Sequence, residues 1–379
     1  MTIGILGGGQ LGYMLALAGY PLDFHFRFLD PSPQAPVGRI APRVSAEYTD
    51  LEALEKFAHG LALVTYEFEN VPVAAARFLQ KIVPVYPPPR ALETAQDRRS
   101  EKGLFQKVGI PATEFAVVDS ANDLEQAIRK LGLPSVLKTC RLGYDGKGQW
   151  ALRTREDVQR VKKEIPAVPL VLEKFVNFSR ELSILAVRAR SGETAFYPLV
   201  ENHHRGGILR LSLAPAPRIA SALQREAEDA ARRVLEELDY VGVLAMELFE
   251  CDGRLLANEI APRVHNSGHW SIEGAVTSQF ENHLRAVAGL PLGDTRTLGN
   301  CAMLNLIGEL PEPGELLAIP DVHLHVYGKP VRPGRKVGHV TLRADSTGQL
   351  EQRLRQLPSF FHREEFCLSQ RLAHSAKYL

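Results

Sequence analysis

The run from 241 to 270, VGVLAMELFECDGRLLANEIAPRVHNSGHW, constrains this chain more than any other. It reads as two apolar strands, over 243–249 and 255–261, joined at Asp252-Gly253, a pair suited to a tight hairpin turn. Each strand carries one carboxylate among apolar neighbours, Glu247 and Glu259. A buried carboxylate without a partner is costly, and a bound cation supplies one. Magnesium takes hard oxygen ligands, one or two carboxylates plus substrate phosphates, and Asn258 adds a hard oxygen beside Glu259. Side chains alternate along a strand, so register decides the chemistry. A two-residue loop at Asp252-Gly253 pairs Glu247 with Asn258 and turns Glu259 to the other face. An odd-length loop or a bulge sets the two glutamates opposite each other, and that arrangement is expected. The alternative is a half-exposed hairpin whose acids face water. The dense polar run Arg263, His265, Asn266, Ser267 and His269 just beyond argues against it.

A chain of 379 residues exceeds one ordinary core and implies two or three domains. The formal net charge is +1, without the electrostatic footprint of a protein that binds nucleic acid or an acidic membrane. Cys140, Cys251, Cys301 and Cys367 are scattered with no Cys-x-x-Cys spacing, so neither a zinc site nor a disulfide framework is indicated, which fits a reducing compartment. Residues 1–20 lack any basic residue and are interrupted by glycines, unlike a signal peptide. No other apolar run is long enough to span a bilayer, so a soluble, cytoplasmic protein is expected.

Thr2–Leu6 is a short apolar strand; Gly7-Gly8-Gly9-Gln10-Leu11-Gly12 follows, a helix begins over 13–19, and a strand over 24–29 ends at Asp30. This fits the dinucleotide fingerprint of strand, G-x-G-x-x-G and a later acid. Its physical content is narrower: glycines let backbone approach a phosphate at a helix N-terminus, and nothing demands nicotinamide. A tight turn without a ligand is the alternative. A helix over 49–59 is expected, capped by Thr49 with Glu52. The strand over 61–65 delivers Tyr66-Glu67-Phe68-Glu69-Asn70 at its C-terminal end, where ligands of open α/β sheets gather. Glu67 and Glu69 are therefore site candidates, unless one caps the next helix. A strand over 82–86 and Pro87-Pro88-Pro89 close this unit.

Asp97-Arg98-Arg99-Ser100-Glu101-Lys102 opens a basic helix that ends at Gly109-Ile110-Pro111, and an α+β stretch over 113–175 follows. Ser120 with Asp123 caps a helix stopping at Gly132-Leu133-Pro134. A strand over 136–139 delivers Lys138 into a loop with Gly143, Gly146 and Gly148, which suits a phosphate without the Walker A order. Thr154 and Asp157 cap a helix over 155–164. A strand over 170–173 exits as Glu173-Lys174-Phe175-Val176, offering backbone donors and acceptors to an adenine edge. Strands over 180–189 (with Glu181) and 194–200 are antiparallel, and 201–207 follows them with His203 and His204. Neighbours on an extended chain point apart, so one functional and one solvated histidine is expected. A helix over 221–238, with a Ser221/Gln224 capping box, leads into the hairpin. Beyond 293 come short strands over 302–310, 323–327 and 339–343, a basic turn over 334–339, a helix over 349–360 and a solvated tail.

A strand lysine, a glycine loop, E-K-F-V, M-E-L and N-E-I-A-P-R in this order resemble the ATP-grasp superfamily. More narrowly, 7–12, 66–70, 143–149 and 258–270 resemble the 5-(carboxyamino)imidazole ribonucleotide synthases, the ATPase subunits of phosphoribosylaminoimidazole carboxylase. The resemblance covers nearly the whole chain. It implies an α/β and α+β fold: a Rossmann-like pre-ATP-grasp domain over 1–95, an ATP-grasp domain over 96–297 with a lid subdomain at about 113–175, and a small β-rich domain over 298–379. The implied reaction joins ATP, bicarbonate and 5-aminoimidazole ribonucleotide through carboxyphosphate, giving the N-carboxylated nucleotide, ADP and phosphate in purine biosynthesis. A homodimer and a hand-off to a downstream mutase are implied with it.

The resemblance also implies roles. Tyr144, Arg263 and His265 would surround bicarbonate and carboxyphosphate, and a guanidinium suits a planar carboxylate. Arg98 and Lys138 would meet ATP phosphates beneath Gly143, Tyr144, Asp145, Gly146, Lys147, Gly148 and Gln149. Glu173, Lys174, Phe175 and Val176 would meet adenine and Glu181 the ribose, with His204 rather than His203 on the nucleotide, beside Asn258 and Glu259. Glu247 and Glu259 would hold one or two magnesium ions. The ribonucleotide would lie on Gly8, Gly9, Gln10 and Leu11, its phosphate at the helix N-terminus, with Glu67 or Glu69, Asn266 and Ser267 around it, and Arg335 and Lys336 completing the phosphate site. Three rivals remain. A nicotinamide oxidoreductase leaves the hairpin and lysine loop unexplained. Another ATP-grasp ligase, such as glycinamide ribonucleotide synthetase or the formate-dependent transformylase, differs only in acceptor. A regulatory ATP-binding module has no use for the polar run after Glu259.

Overall fold

Strands buried on both faces need helices on both sides. In the N-terminal part the parallel strands Arg43–Val44, His25–Leu29, Thr2–Leu6 and Leu63–Tyr66 lie side by side in that order. Ile3, Ile5 and Phe28 pack under helix Gln10–Gly19, whereas Leu6, Val64 and Tyr66 pack under Leu51–Ala58 and Val73–Gln80. The computed structural model describes residues 1–141, 143, 148–164 and 168–362. Cys367 and the tail lie outside the described residues. No helix among the described residues is long and apolar enough to cross a membrane.

A second sheet, with Phe115–Val118, Leu170–Lys174, Ser135–Thr139 and Gln149–Leu152 in that order, is antiparallel. Helices Ala121–Leu131 and Arg155–Glu164 cover one face through Leu124, Ile128, Val158 and Val161. Lys138 and Gln149, paired across two strands, belong to the other face.

The third sheet has nine strands. Its order is Arg254–Ala261, Gly242–Cys251, Arg180–Arg188, Val200–Arg205, Ile208–Ala214, Asn300–Ile307, Lys336–Ala344 and Val322–Val326, with Thr194–Phe196 alongside Arg180–Arg188. The C-terminal strands thus continue the sheet that carries the hairpin. Helix Ser221–Glu237 covers one face. Helix Gln279–Ala288 covers the other and meets helix Gln10–Gly19, docking the N-terminal part.

Several local expectations change. Helix Leu51–Ala58 is capped by Asp50, which accepts from Ala53 N–H at 3.0 Å, not by Thr49. The strand expected over 82–86 is a single bridge, Val64 to Val85, because Pro84 and Pro87 have no N–H for a ladder. Glu201 to Arg205 form a strand rather than following one. Helix Ser221–Glu237 begins after Ala220 with no side-chain cap; Gln224 instead accepts from Leu199 N–H at 2.8 Å. Lys336 to His339 belong to a strand, and the last helix stops at Gln356, ahead of Pro358.

Candidate active site

Asp252 and Gly253 take positive φ of 50° and 75°, giving a two-residue turn that pairs Cys251 with Arg254. Continued without a break, that register would set Glu247 against Asn258. After Leu248 and Ala257 it slips by one: Asn258 is the extra residue, and Glu247 stands opposite Glu259. The bulge lets Asn258 and its neighbour Glu259 line the same cavity, which a regular strand forbids. Burial pushes the Glu247 carboxyl up, and Glu259 adds to it. Asn258 Oδ1 is buried with no hydrogen-bond partner among the described residues. Two crowded carboxylates and an unsatisfied amide oxygen form a donor set that fits a hard cation. No group of three or more His, Cys, Asp or Glu among the described residues fits a metal ion.

The cavity holds about 500 Å³. It is walled from the N-terminal part by Gln10, Leu11 and Glu69; from the second sheet and its connection by Lys138, Gly143 and Gln149; and from the third sheet by Glu181, His204, Glu247, Asn258, Glu259 and Lys336. Arg98, Arg263, His265 and Asn266 complete the polar lining. Beside it a chamber of about 70 Å³ is lined by Glu69, Arg98, Cys140, Glu259, Arg263 and His265. Tyr144, Asp145, Gly146 and Lys147 lie outside the described residues.

The glycine loop differs from expectation. Gly8 N–H donates to Asp30 at 2.7 Å, and Gly9 and Gly12 N–H donate to Glu67 at 2.7 and 3.0 Å. Carboxylates therefore occupy the amides on which a phosphate was expected. A Cβ on Gly9 would sit 2.6 Å from Glu67 Oε1 and would displace that carboxylate from the loop. Glu67 thus supports the loop, whereas Glu69 reaches the cavity and pairs with Arg263. Burial would raise the Glu69 carboxyl, but Arg263 holds it below the usual range.

Lys138 Nζ lies 2.8 Å from Glu173 Oε2, and Lys102 Nζ 3.6 Å from Oε1. Burial alone would raise the Glu173 carboxyl; the lysines outweigh it and hold it at about 2. Glu173, Lys174, Phe175 and Val176 do not line the main cavity. Phe175 N–H donates to Pro134 O at 3.1 Å, and the Lys174 and Phe175 side chains are exposed. Gly148 is required: its φ is +68° and a Cβ would meet Thr139 Oγ1 at 2.7 Å.

A register shift separates the two histidines. His204 lines the cavity with Nδ1 2.5 Å from Glu181, and His203 sits 3.0 Å from Glu201. His203 is half-buried rather than solvated. His265 Nε2 lies 3.5 Å from Glu247, and its Nδ1 accepts from Ser267 N–H at 3.3 Å, which leaves the ring proton on Nε2. Burial, then Arg263 and Lys336, hold the imidazole well below its usual pKa, so it is neutral. Ser267 does not line the cavity. Its hydroxyl lies 2.9 Å from His265 Nδ1 and accepts from Ser183 at 2.8 Å, continuing through Asn202 and Ser212 into the sheet.

Lys336 lines the cavity, but Arg335 does not. Sequence reasoning missed Lys329, which reaches the Gln10 side chain, and the stacked pair Phe178 and Phe249, 4.6 Å apart at 12°, on the cavity wall. Phe249 was within reach, because it lies two residues from Glu247 on one strand face.

Known proteins share this architecture. The ribonucleotide synthetase preATP-grasp domain matches residues 1–96, the ATP-grasp domain 103–280, and the phosphoribosylaminoimidazole carboxylase C-terminal domain 301–353. N5-carboxyaminoimidazole ribonucleotide synthase of Pseudomonas aeruginosa is 55% identical over 94% of this chain and 98% of its own length. The crystal structure of N5-carboxyaminoimidazole ribonucleotide synthetase from Thermus thermophilus superposes with a TM-score of 0.91 and 60% identity, covering 94% of this chain and 97% of that one. N5-carboxyaminoimidazole synthase of Aspergillus clavatus, solved with ADP and 5-aminoimidazole ribonucleotide, gives 0.86 and 30% identity over 93% of this chain and 96% of that one.

Proposed function

We propose, from the premise that this chain belongs to the N5-carboxyaminoimidazole ribonucleotide synthase family, that it carboxylates 5-aminoimidazole ribonucleotide at its amine, with bicarbonate as carbon source and ATP as energy source. The products are N5-carboxyaminoimidazole ribonucleotide, ADP and phosphate, in purine biosynthesis. The observation that carries the reading is the single cavity joining the glycine-loop residues Gln10 and Leu11, the strand lysine Lys138, and the bulged hairpin with Glu247, Asn258 and Glu259.

A bicarbonate oxygen attacks the γ-phosphorus, the bond to ADP breaks, and carboxyphosphate forms. Positioning and charge neutralisation do most of the work in such a transfer. Lys138 and Arg98 face the phosphates. Magnesium, held by Glu247 and Glu259 with Asn258 Oδ1 beside them, would neutralise phosphate charge when bound, as one or two ions. Arg263, oriented by Glu69, grips the planar carboxyl group bidentately. His265, neutral with its proton on Nε2, donates toward the same group. The carboxyl passes to the substrate amine and phosphate leaves. Gln10, Leu11, Glu69, Asn266 and Lys336 bind the ribonucleotide, with Lys329 beside Gln10. The subdomain over about 113–175 closes to exclude water from the labile intermediate. Glu173 to Val176 and Glu181 serve adenine and ribose, with the Phe178–Phe249 stack as an apolar wall. A homodimeric, cytoplasmic enzyme that hands its product to a mutase, completing the carboxylase (lyase) activity, rests on family membership alone.

ADP release with ATP and magnesium tests the acceptor. The expected result is turnover that requires both the aminoimidazole ribonucleotide and bicarbonate. Turnover indifferent to that ribonucleotide but awakened by glycinamide ribonucleotide, or by phosphoribosylamine with glycine, would overturn it.

A further inference from the structure

A bulge interrupts a β ladder, and the backbone it frees needs other partners. Strand Arg254–Ala261 is the edge of its sheet, so partners come from outside it. Helix Arg98–Lys107 supplies them. Residues 98, 101 and 102 share one helix face, and each meets a different residue of the bulge. Lys102 Nζ donates to the Asn258 carbonyl at 3.1 Å, Arg98 Nη1 lies 3.2 Å from Glu259 Oε2, and Glu101 Oε1 accepts from Ile260 N–H at 2.6 Å. Lys102 is 0% exposed and lines neither cavity; Glu101, 2% exposed, lines only the small chamber beside the main cavity.

We propose that Glu101 and Lys102 are positioning residues that hold the Asn258 bulge in the register setting Glu259 opposite Glu247. They thereby build the nucleotide-linked divalent-cation site without touching the cation. This rests on the reading above that the two carboxylates hold magnesium. Lys102 also lies 3.6 Å from Glu173, so the same side chain ties the bulge to the strand whose carboxylate pairs with Lys138. Ion-site supports of this kind act through geometry: a misplaced carboxylate loses the cation before it loses the fold.

Manganese, a paramagnetic stand-in for magnesium, is titrated into the full-length protein with saturating ADP and followed by electron paramagnetic resonance. Glu101→Leu and Lys102→Met are expected to weaken manganese binding at least about tenfold. For Glu101→Leu, affinity for ADP without metal should stay within about twofold, because Glu101 meets Ile260 N–H and none of the groups assigned to purine or ribose. Glu101→Gln keeps an acceptor for Ile260 N–H and should restore manganese binding. Wild-type manganese affinity in both disruptive variants would overturn the proposal. Equal losses of ADP and manganese without rescue by glutamine would do so too. So would failure of both variants to fold, since a clamp on one edge bulge leaves the rest of the nine-stranded sheet intact. Glu259→Gln separates the claims. If it binds manganese like wild type, the metal assignment itself fails; if it loses manganese while the two variants keep it, only the clamp fails.

Discussion

At residue scale the chemistry depends on a few side chains held rigidly. Arg263 has its Nε committed to Glu69 and its Nη1 donating to Val264 O at 3.0 Å, so its orientation is set before any ligand arrives. Arg263→Lys keeps the charge and loses the fork. It should raise the KM for bicarbonate at least about tenfold, measured with ATP and ribonucleotide saturating. Glu259→Gln should lower kcat by about 100-fold or more, because the magnesium that would neutralise the phosphates loses a charged ligand. Steady-state ADP release reads both. The carboxylate pair was legible in the sequence because acids inside apolar strands demand a partner. Arg263, His265 and Asn266 were legible as a dense polar run. Lys329 was not, because its relation to Gln10 spans the whole chain and leaves no periodic trace. The partners of the glycine amides were hidden for a related reason: the glycine pattern shows close approach to an anion, but not that the chain's own Asp30 and Glu67 accept from Gly8, Gly9 and Gly12.

At element scale the hairpin bulge is the decisive feature. Its consequence was readable from parity, but its place was not, since odd loops and bulges give the same alternation. Deleting Asn258 removes the bulge, keeps Ala257 opposite Leu248 and Glu259 opposite Glu247, and takes away the unpartnered Asn258 Oδ1 and the carbonyl that Lys102 holds. Activity should fall at least about tenfold, from the lost amide oxygen, while the far-UV spectrum is unchanged; a deletion variant with wild-type activity would contradict the role given to the bulge. Helices with local signals, such as Ala121–Leu131 with its Ser120 cap, stand where expected. Segments decided by distant partners do not: Gln224 serves the connection ahead of strand Val200–Arg205 instead of its own helix, and Pro84 and Pro87 undo a strand that hydropathy alone suggested.

At the scale of the whole molecule, His283 joins the N-terminal part to the large sheet. Its Nδ1 accepts from Val243 N–H at 3.1 Å, so Nε2 carries the proton and faces Thr65 Oγ1 at 2.9 Å. Burial holds its pKa down at about 3. The folded pKa is depressed, so unfolding takes up a proton at acid pH; this stability is present above about pH 6.5 and is lost as pH falls toward 3. Urea titrations should show about 2 kcal/mol lost between pH 7 and pH 5 from this residue. His283→Gln should flatten that slope; an unchanged slope would contradict the assignment. The continuation of the hairpin's sheet into the C-terminal strands brings Lys336 into the same cavity as Gln10 and Lys138. No local pattern in the sequence announces that continuity.

The most direct test of the account follows an oxygen atom. With ATP, 5-aminoimidazole ribonucleotide and freshly prepared ¹⁸O-bicarbonate, attack on the γ-phosphorus forms a P–O bond to a bicarbonate oxygen. Release of the carboxyl group then breaks the C–O bond and leaves that oxygen on phosphate. The account predicts that one bicarbonate oxygen appears in each phosphate formed, read by the isotope shift in ³¹P resonance. Phosphate carrying only oxygen from ATP and water would contradict it.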